Sequence, residues 1–143
     1  MLRHIRIPIL ILILAQIGII MHCAGALIFM QEYRLFDKII LGIRYDKYVH
    51  VFTGFMGATI LHEIYFKNLN LNFGIKDVQL LIMMLGIGAV WEIVEYLVTI
   101  MLTINGVGNY DNNMQDLISN LIGTTVFIFV NRISNIIMEK RSR

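Results

Sequence analysis

From Ile7 to Gln31 the chain has no Asp, Glu, Lys or Arg. A bilayer-spanning helix needs about 20 such residues, so this run predicts a first transmembrane helix over about 8–30. The next stretch mixes Phe36, Ile39, Ile40, Leu41, Ile43 and Tyr45 with Arg34, Asp37, Lys38, Arg44 and Lys47. That mixture suits a segment lying in the membrane interface, with aromatic rings at headgroup level. A second, shorter apolar stretch predicts a span at about 48–66, where Gly54, Gly57 and Ala58 would admit a close neighbour helix. A polar turn over 67–76 leads to a third span at about 77–102. A Gly- and Asn-rich loop over 103–113 precedes a fourth span at about 114–138, followed by a basic tail. The expected fold is an all-α bundle of four transmembrane helices, forming a single domain over 1–143.

Composition agrees. The chain is 57% hydrophobic and 15% charged, where soluble domains run near 45–50% and about 25%. A net charge of +2 gives no footing for nucleic-acid binding. Cys23 is the only cysteine, which excludes an intramolecular disulfide, and Pro8 is the only proline, so no proline breaks the later spans. Ala24-Gly25-Ala26 faintly suggests a signal-peptide cleavage site. The apolar run continues through Leu27–Met30, which favours a retained helix over loss of residues 1–26.

The polar residues inside these runs change the picture. Glu92 and Glu95 stand three apart in the third span, on one helix face. A charge at the bilayer centre costs about 2.5–3.5 kcal/mol on insertion scales, so each needs partners. With four spans both termini share one side. Arg3, Arg6, Lys67, Lys76, Arg132, Lys140, Arg141 and Arg143 then face Arg34, Lys38, Arg44 and Lys47 across the membrane. The first set is larger, which puts both termini in the cytoplasm of a cell-membrane protein. At a rise of about 1.5 Å per residue, Glu92 and Glu95 lie about 22–27 Å from the inner end of their helix. Asp46 and His50 at the start of the second span, and Asp116 and Asn120 at the start of the fourth, reach the same outer level. His22 does too, although a lone histidine on an apolar helix reads first as a hydrogen-bonded core residue. His62 and Glu63 fall near the inner end of the second span.

These residues also carry a likeness. Asp46-Lys47-Tyr48-Val49-His50, the Trp91-Glu92…Glu95-Tyr96 pair and Asp116-Leu117-Ile118-Ser119-Asn120-Leu121-Ile122-Gly123 open or occupy successive spans. In that order they resemble the VanZ-like membrane proteins, above all their YjdF-like relatives, small bacterial inner-membrane proteins. The likeness covers about 40–130. It implies a small polytopic membrane protein with an acidic, histidine-bearing polar site.

Four carboxylates with one imidazole cannot all ionise together without a cation. Asp46, His50, Glu92, Glu95, Asp116 and Asn120 therefore form a candidate divalent-metal set, suited to Mg, Mn, Fe or Zn. The other way to keep them buried is to protonate some; Glu92, Glu95 and His50 are then candidate acids and bases. Arg44 and Lys47, at the interface, would meet the phosphate of a polar or lipid-linked envelope headgroup. Two plainer readings stand beside these: a polar network that fixes helix register, and an accessory subunit of a larger membrane complex. Asp111 in the third loop could close over the site. No phosphate-binding glycine motif, nucleophile elbow or zincin motif is present.

Overall fold

A computed structural model describes residues 8–30, 32–102 and 110–142. The apolar runs form four long helices: α1 (Ile9–Leu27), α2 (Tyr45–Ile64), α3 (Phe73–Leu102) and α4 (Tyr110–Arg141). They run up-down-up-down: Asp77 near the start of α3 meets Arg132 near the end of α4, while His62 of α2 meets Asn131 of α4. Three of them, Ile9–Leu27, Phe73–Met101 and Tyr110–Arg141, are long and apolar enough to cross a membrane. The expectation of four such helices is met in part, by these three. The remaining helix, α2, carries Asp46, Lys47, His50, His62 and Glu63 within 20 residues, and its charges dilute its apolar character. It can do so because it packs against α1, α3 and, most extensively, α4.

The α2–α4 crossing is set by glycine. A Cβ on Gly123 would lie 2.0 Å from the Val51 carbonyl oxygen, and one on Gly54 would lie 2.5 Å from that of Asn120. No larger side chain fits while the backbones touch. In lipid, such close packing and internal hydrogen bonding hold helices together, since the surrounding tails are as apolar as leucine. Hydroxyls near the crossing are satisfied within their own helices: Thr53 donates to Val49 O and Thr124 to Asn120 O. Toward the end where α1 begins and α4 finishes, Ala58, Phe66, Leu80, Met84 and Phe127 form a buried apolar cluster.

Within the segment expected at the interface, and just before it, residues 29–44 form two short hairpins. Phe29–Met30 (β1) pairs with Tyr33–Arg34 (β2), and after a short 3-10 turn Ile39–Ile40 (β3) pairs with Ile43–Arg44 (β4), both antiparallel. Leu41 and Gly42 both take positive φ, 51° and 82°. Two successive left-handed residues make the two-residue hairpin turn whose twist matches its strands. Glycine does this freely, whereas Leu41 carries a cost of about 1–2 kcal/mol. These hairpins cap the end of the bundle where α1 finishes and α2 begins. Phe36 lies against Gly25, where a Cβ would sit 2.2 Å from its ring. The Tyr45 hydroxyl donates to Met21 O of α1, and that of Tyr48 to Ile40 O.

The fourth helix starts at Tyr110 rather than 114, which brings Asn112 and Asn113 out of the expected loop and into the first turns of α4. The rest of that loop, 103–109, lies outside the described residues. At about 1.5 Å per residue, the 32 residues of α4 exceed a hydrocarbon core of about 30 Å, so its ends can project beyond it.

Candidate functional site

The second hairpin delivers the chain directly into α2, so the first turn of α2 is held at the capped end of the bundle. Asp46 and His50, four apart, fall on one face there, and Asp116 meets them from α4. His50 Nε2 is 3.4 Å from Asp46 Oδ1 and 3.4 Å from Asp116 Oδ1. Lys47 points toward α4. Its ammonium donates to Asp116 Oδ1 at 2.6 Å, to Asp46 Oδ2 at 3.1 Å and to Asn112 Oδ1 at 2.8 Å. Asn112 in turn donates through Nδ2 to Asp116 Oδ2 at 2.8 Å. All four ionisable residues are buried, from 3% exposed at Asp116 to 7% at the others. A buried ion pair of this kind is close to balanced between desolvation and attraction, but removal of one partner strands the other.

Beside this cluster is a cavity of about 470 Å³. Its floor is Asp46, His50 and Asp116; one wall is His22 and Ala26 of α1, and another is Trp91, Val94, Glu95, Val98 and Thr99 of α3. Arg34, Phe36, Asp37 and Arg44 from the hairpin segment form the rim. Arg44 donates to Asp37 Oδ1 at 2.8 Å and to Asn112 Oδ1 at 2.6 Å, while Arg34 reaches Asp37 Oδ2 at 3.4 Å. Two guanidinium groups thus share one carboxylate at the rim, and Arg44 Nε is buried with no hydrogen-bond partner. The His22 ring stacks edgewise on Phe36 and Trp91, with centroids 5.3 and 5.8 Å away.

The residues expected from the sequence divide into groups. Asp46, His50 and Asp116 come together, with Lys47 buried among them and Arg44 at the rim. Glu95 lies in the cavity wall and accepts from Trp91 Nε1 at 2.6 Å. Glu92, one turn away, is 8% exposed, and its Oε1 is buried without a hydrogen-bond partner. It lies within electrostatic range of His50, Asp46 and Asp116. Asn120 belongs to the helix crossing instead: its backbone faces Gly54, and its Nδ2 is 3.1 Å from where a Cβ on Gly88 would be. Asp111 is exposed in the first turn of α4.

Sequence reasoning overlooked Arg34, Asp37 and Asn112 as parts of the site. The Asn112–Asp116 spacing of four was the available signal for the last. The charge problem posed by the clustered carboxylates is met in part from within the chain, by Lys47 and, at 4.0 Å from Asp46, by Arg44.

A family model described as a predicted membrane protein, DUF2238, matches residues 1–135. No curated protein and no solved structure matches the chain.

Proposed function

We infer that this protein, which belongs to the DUF2238 family of predicted membrane proteins, binds a phosphate-bearing lipid headgroup in the cavity capped by its hairpins. The observation that carries this reading is the rim. Arg34 and Arg44 converge on the single carboxylate of Asp37 above a floor of Asp46, His50 and Asp116. Arginine presents a fork of donors that matches phosphate, and the unpartnered Nε of Arg44 leaves such a donor to be satisfied. The acidic and imidazole floor suits hydroxyl or ammonium groups attached to that phosphate. Val94, Val98 and Ala26 in the walls suit the first apolar atoms of a lipid.

In this reading α2 is a fourth spanning helix, made tolerable by its packing inside the other three. The chain is then multi-pass in the cell membrane with both termini cytoplasmic, and the cavity opens toward the outer leaflet. The lysine and arginine distribution supports that orientation. A lipid-linked envelope intermediate, whose headgroup carries phosphate, is the natural ligand in this reading. Alkaline phosphatase fused after Arg143 tests the orientation: the fusion should be inactive, and activity outside the cytoplasm would reverse it.

Binding is tested with dihexanoyl phosphatidylglycerol titrated into the detergent-purified protein. Hydrogen bonds to charged groups contribute about 1.5–3 kcal/mol each. Replacing both Arg34 and Arg44 with Gln should therefore weaken binding by about tenfold or more. Equal binding by wild type and double variant would remove this function.

One observation favours a second reading, an accessory subunit. Gly86 of α3 has nothing within 4 Å of the position a Cβ would take, and it lies among exposed Ile82, Met83, Ile87 and Val90. A partner helix could approach closely there. Leucine at position 86 should then release a co-purifying membrane protein, and no change in composition would dismiss the reading.

A further inference from the structure

We propose that Asp46, His50 and Asp116 form a divalent-cation site of the zinc or manganese type, in which the Lys47 ammonium stands where the ion would bind. Two features of the geometry carry this. First, His50 Nε2 stands at the same 3.4 Å from an oxygen of each aspartate. Charge-assisted hydrogen bonds would be about 2.7–2.9 Å. Ligands about 2.0–2.2 Å from a tetrahedral ion are separated by roughly 3.4 Å, so the spacing matches a coordination edge better than a hydrogen bond. One donor atom from each of the three residues lies within 4.8 Å of the others.

Second, the cluster holds more negative charge than Lys47 offsets. Glu92 is 8% exposed, its Oε1 is buried without a donor, and it lies within electrostatic range of all three residues. Arg44 approaches Asp46 no nearer than 4.0 Å. A divalent ion in place of the ammonium would offset one more negative charge than Lys47 does. One imidazole with carboxylates selects zinc, manganese or iron over calcium. Lys47 has the means to yield: its long stem lines the apolar groove between α1, α2 and α4, beside Tyr48, Val51 and Ser119. Swinging the ammonium away from the two aspartates, past the Asn112 carbonyl that it already reaches at 3.2 Å, would open the centre of the cluster.

This inference does not depend on the headgroup reading, because the metal alone is the probe. Untagged full-length protein in detergent, stripped with chelator and dialysed, is titrated with Co²⁺ while visible absorption is recorded. Four-coordinate cobalt gives intense d–d bands that hydrated cobalt lacks. Wild type should develop these bands, and Asp116→Asn should not. Lys47→Met, which removes a positive charge from the ion's position, should bind Co²⁺ about tenfold tighter or more. Where Lys47→Met does not fold without metal, Lys47→Gln serves for the same comparison, with folding followed by circular dichroism. Absence of the bands in wild type and both Lys47 variants would overturn the proposal. So would bands that persist unchanged in Asp116→Asn, or affinity in the Lys47 variants no tighter than in wild type.

Discussion

Replacing Lys47 with Met should be among the most destabilising single changes in the chain, and about half of its cost should vanish when Asp116 is also neutralised. The ammonium lies 2.6 Å from Asp116 Oδ1 and 3.1 Å from Asp46 Oδ2. At an effective dielectric constant near 20, each contact is worth roughly 5–6 kcal/mol before desolvation. Desolvation of each ion costs several kcal/mol in return, so the intact cluster contributes little net stability. Breaking it is another matter. Removing Lys47 strands two carboxylates that are 7% and 3% exposed, at a cost of about 3–5 kcal/mol. Asp116→Asn is milder, because Lys47 keeps Asp46 and Asn112 and the amide keeps the shape of the side chain; about 1–3 kcal/mol is expected. In the double variant only Asp46 is stranded, and Arg44 stands 4.0 Å away. The two changes should therefore couple by about 2 kcal/mol. Reversible unfolding of wild type, both single variants and the double variant, in mild detergent with chelator present, measures this. Coupling below about 0.5 kcal/mol would mean independent sites and would refute the cluster as described.

Glu92→Gln should leave stability unchanged or raise it, since it removes a buried charge whose Oε1 has no donor; unfolding in the same detergent decides, and a loss above about 1 kcal/mol would show that the charge is paired. Gly123→Ala should destabilise by about 1–3 kcal/mol despite alanine's better helix propensity, because its Cβ would meet the Val51 carbonyl at 2.0 Å; a more stable variant would contradict the α2–α4 crossing. Arg132→Ala at the other end breaks an ion pair with Asp77 that is partly exposed. It should cost under about 1 kcal/mol and add independently to Lys47→Met; coupling between the two would tie together ends of the bundle that share no contact.

Much of the bundle was legible from periodicity and charge alone. An uncharged run from Ile7 to Gln31 can be satisfied in few ways, and Glu92 inside an apolar helix demands neighbours at its own depth. The hairpins were not legible, because strands of two residues leave no alternation to detect and Leu41 is an unusual occupant of a left-handed turn position. The direction of Lys47 was also hidden. A lysine at a helix end normally extends its charge toward water, and only Asp116 and Asn112, some seventy residues later in the chain, turn it inward. Asn112 was obscured by the glycines before it, which made the start of α4 read as loop. Asn120 shares a face with Asp116 by spacing, yet the glycine contacts at Gly54 and Gly88 hold it at the crossing instead.

The central claim is that the capped cavity holds a phosphate-bearing headgroup on Arg34 and Arg44. Native mass spectrometry of the protein released from nanodiscs of mixed phosphatidylglycerol and phosphatidylcholine tests it most directly. Wild type should carry one retained phosphatidylglycerol, and the variant with both arginines replaced by Gln should carry none. Equal retention by the two proteins, or retention of neither lipid by wild type, would contradict the account.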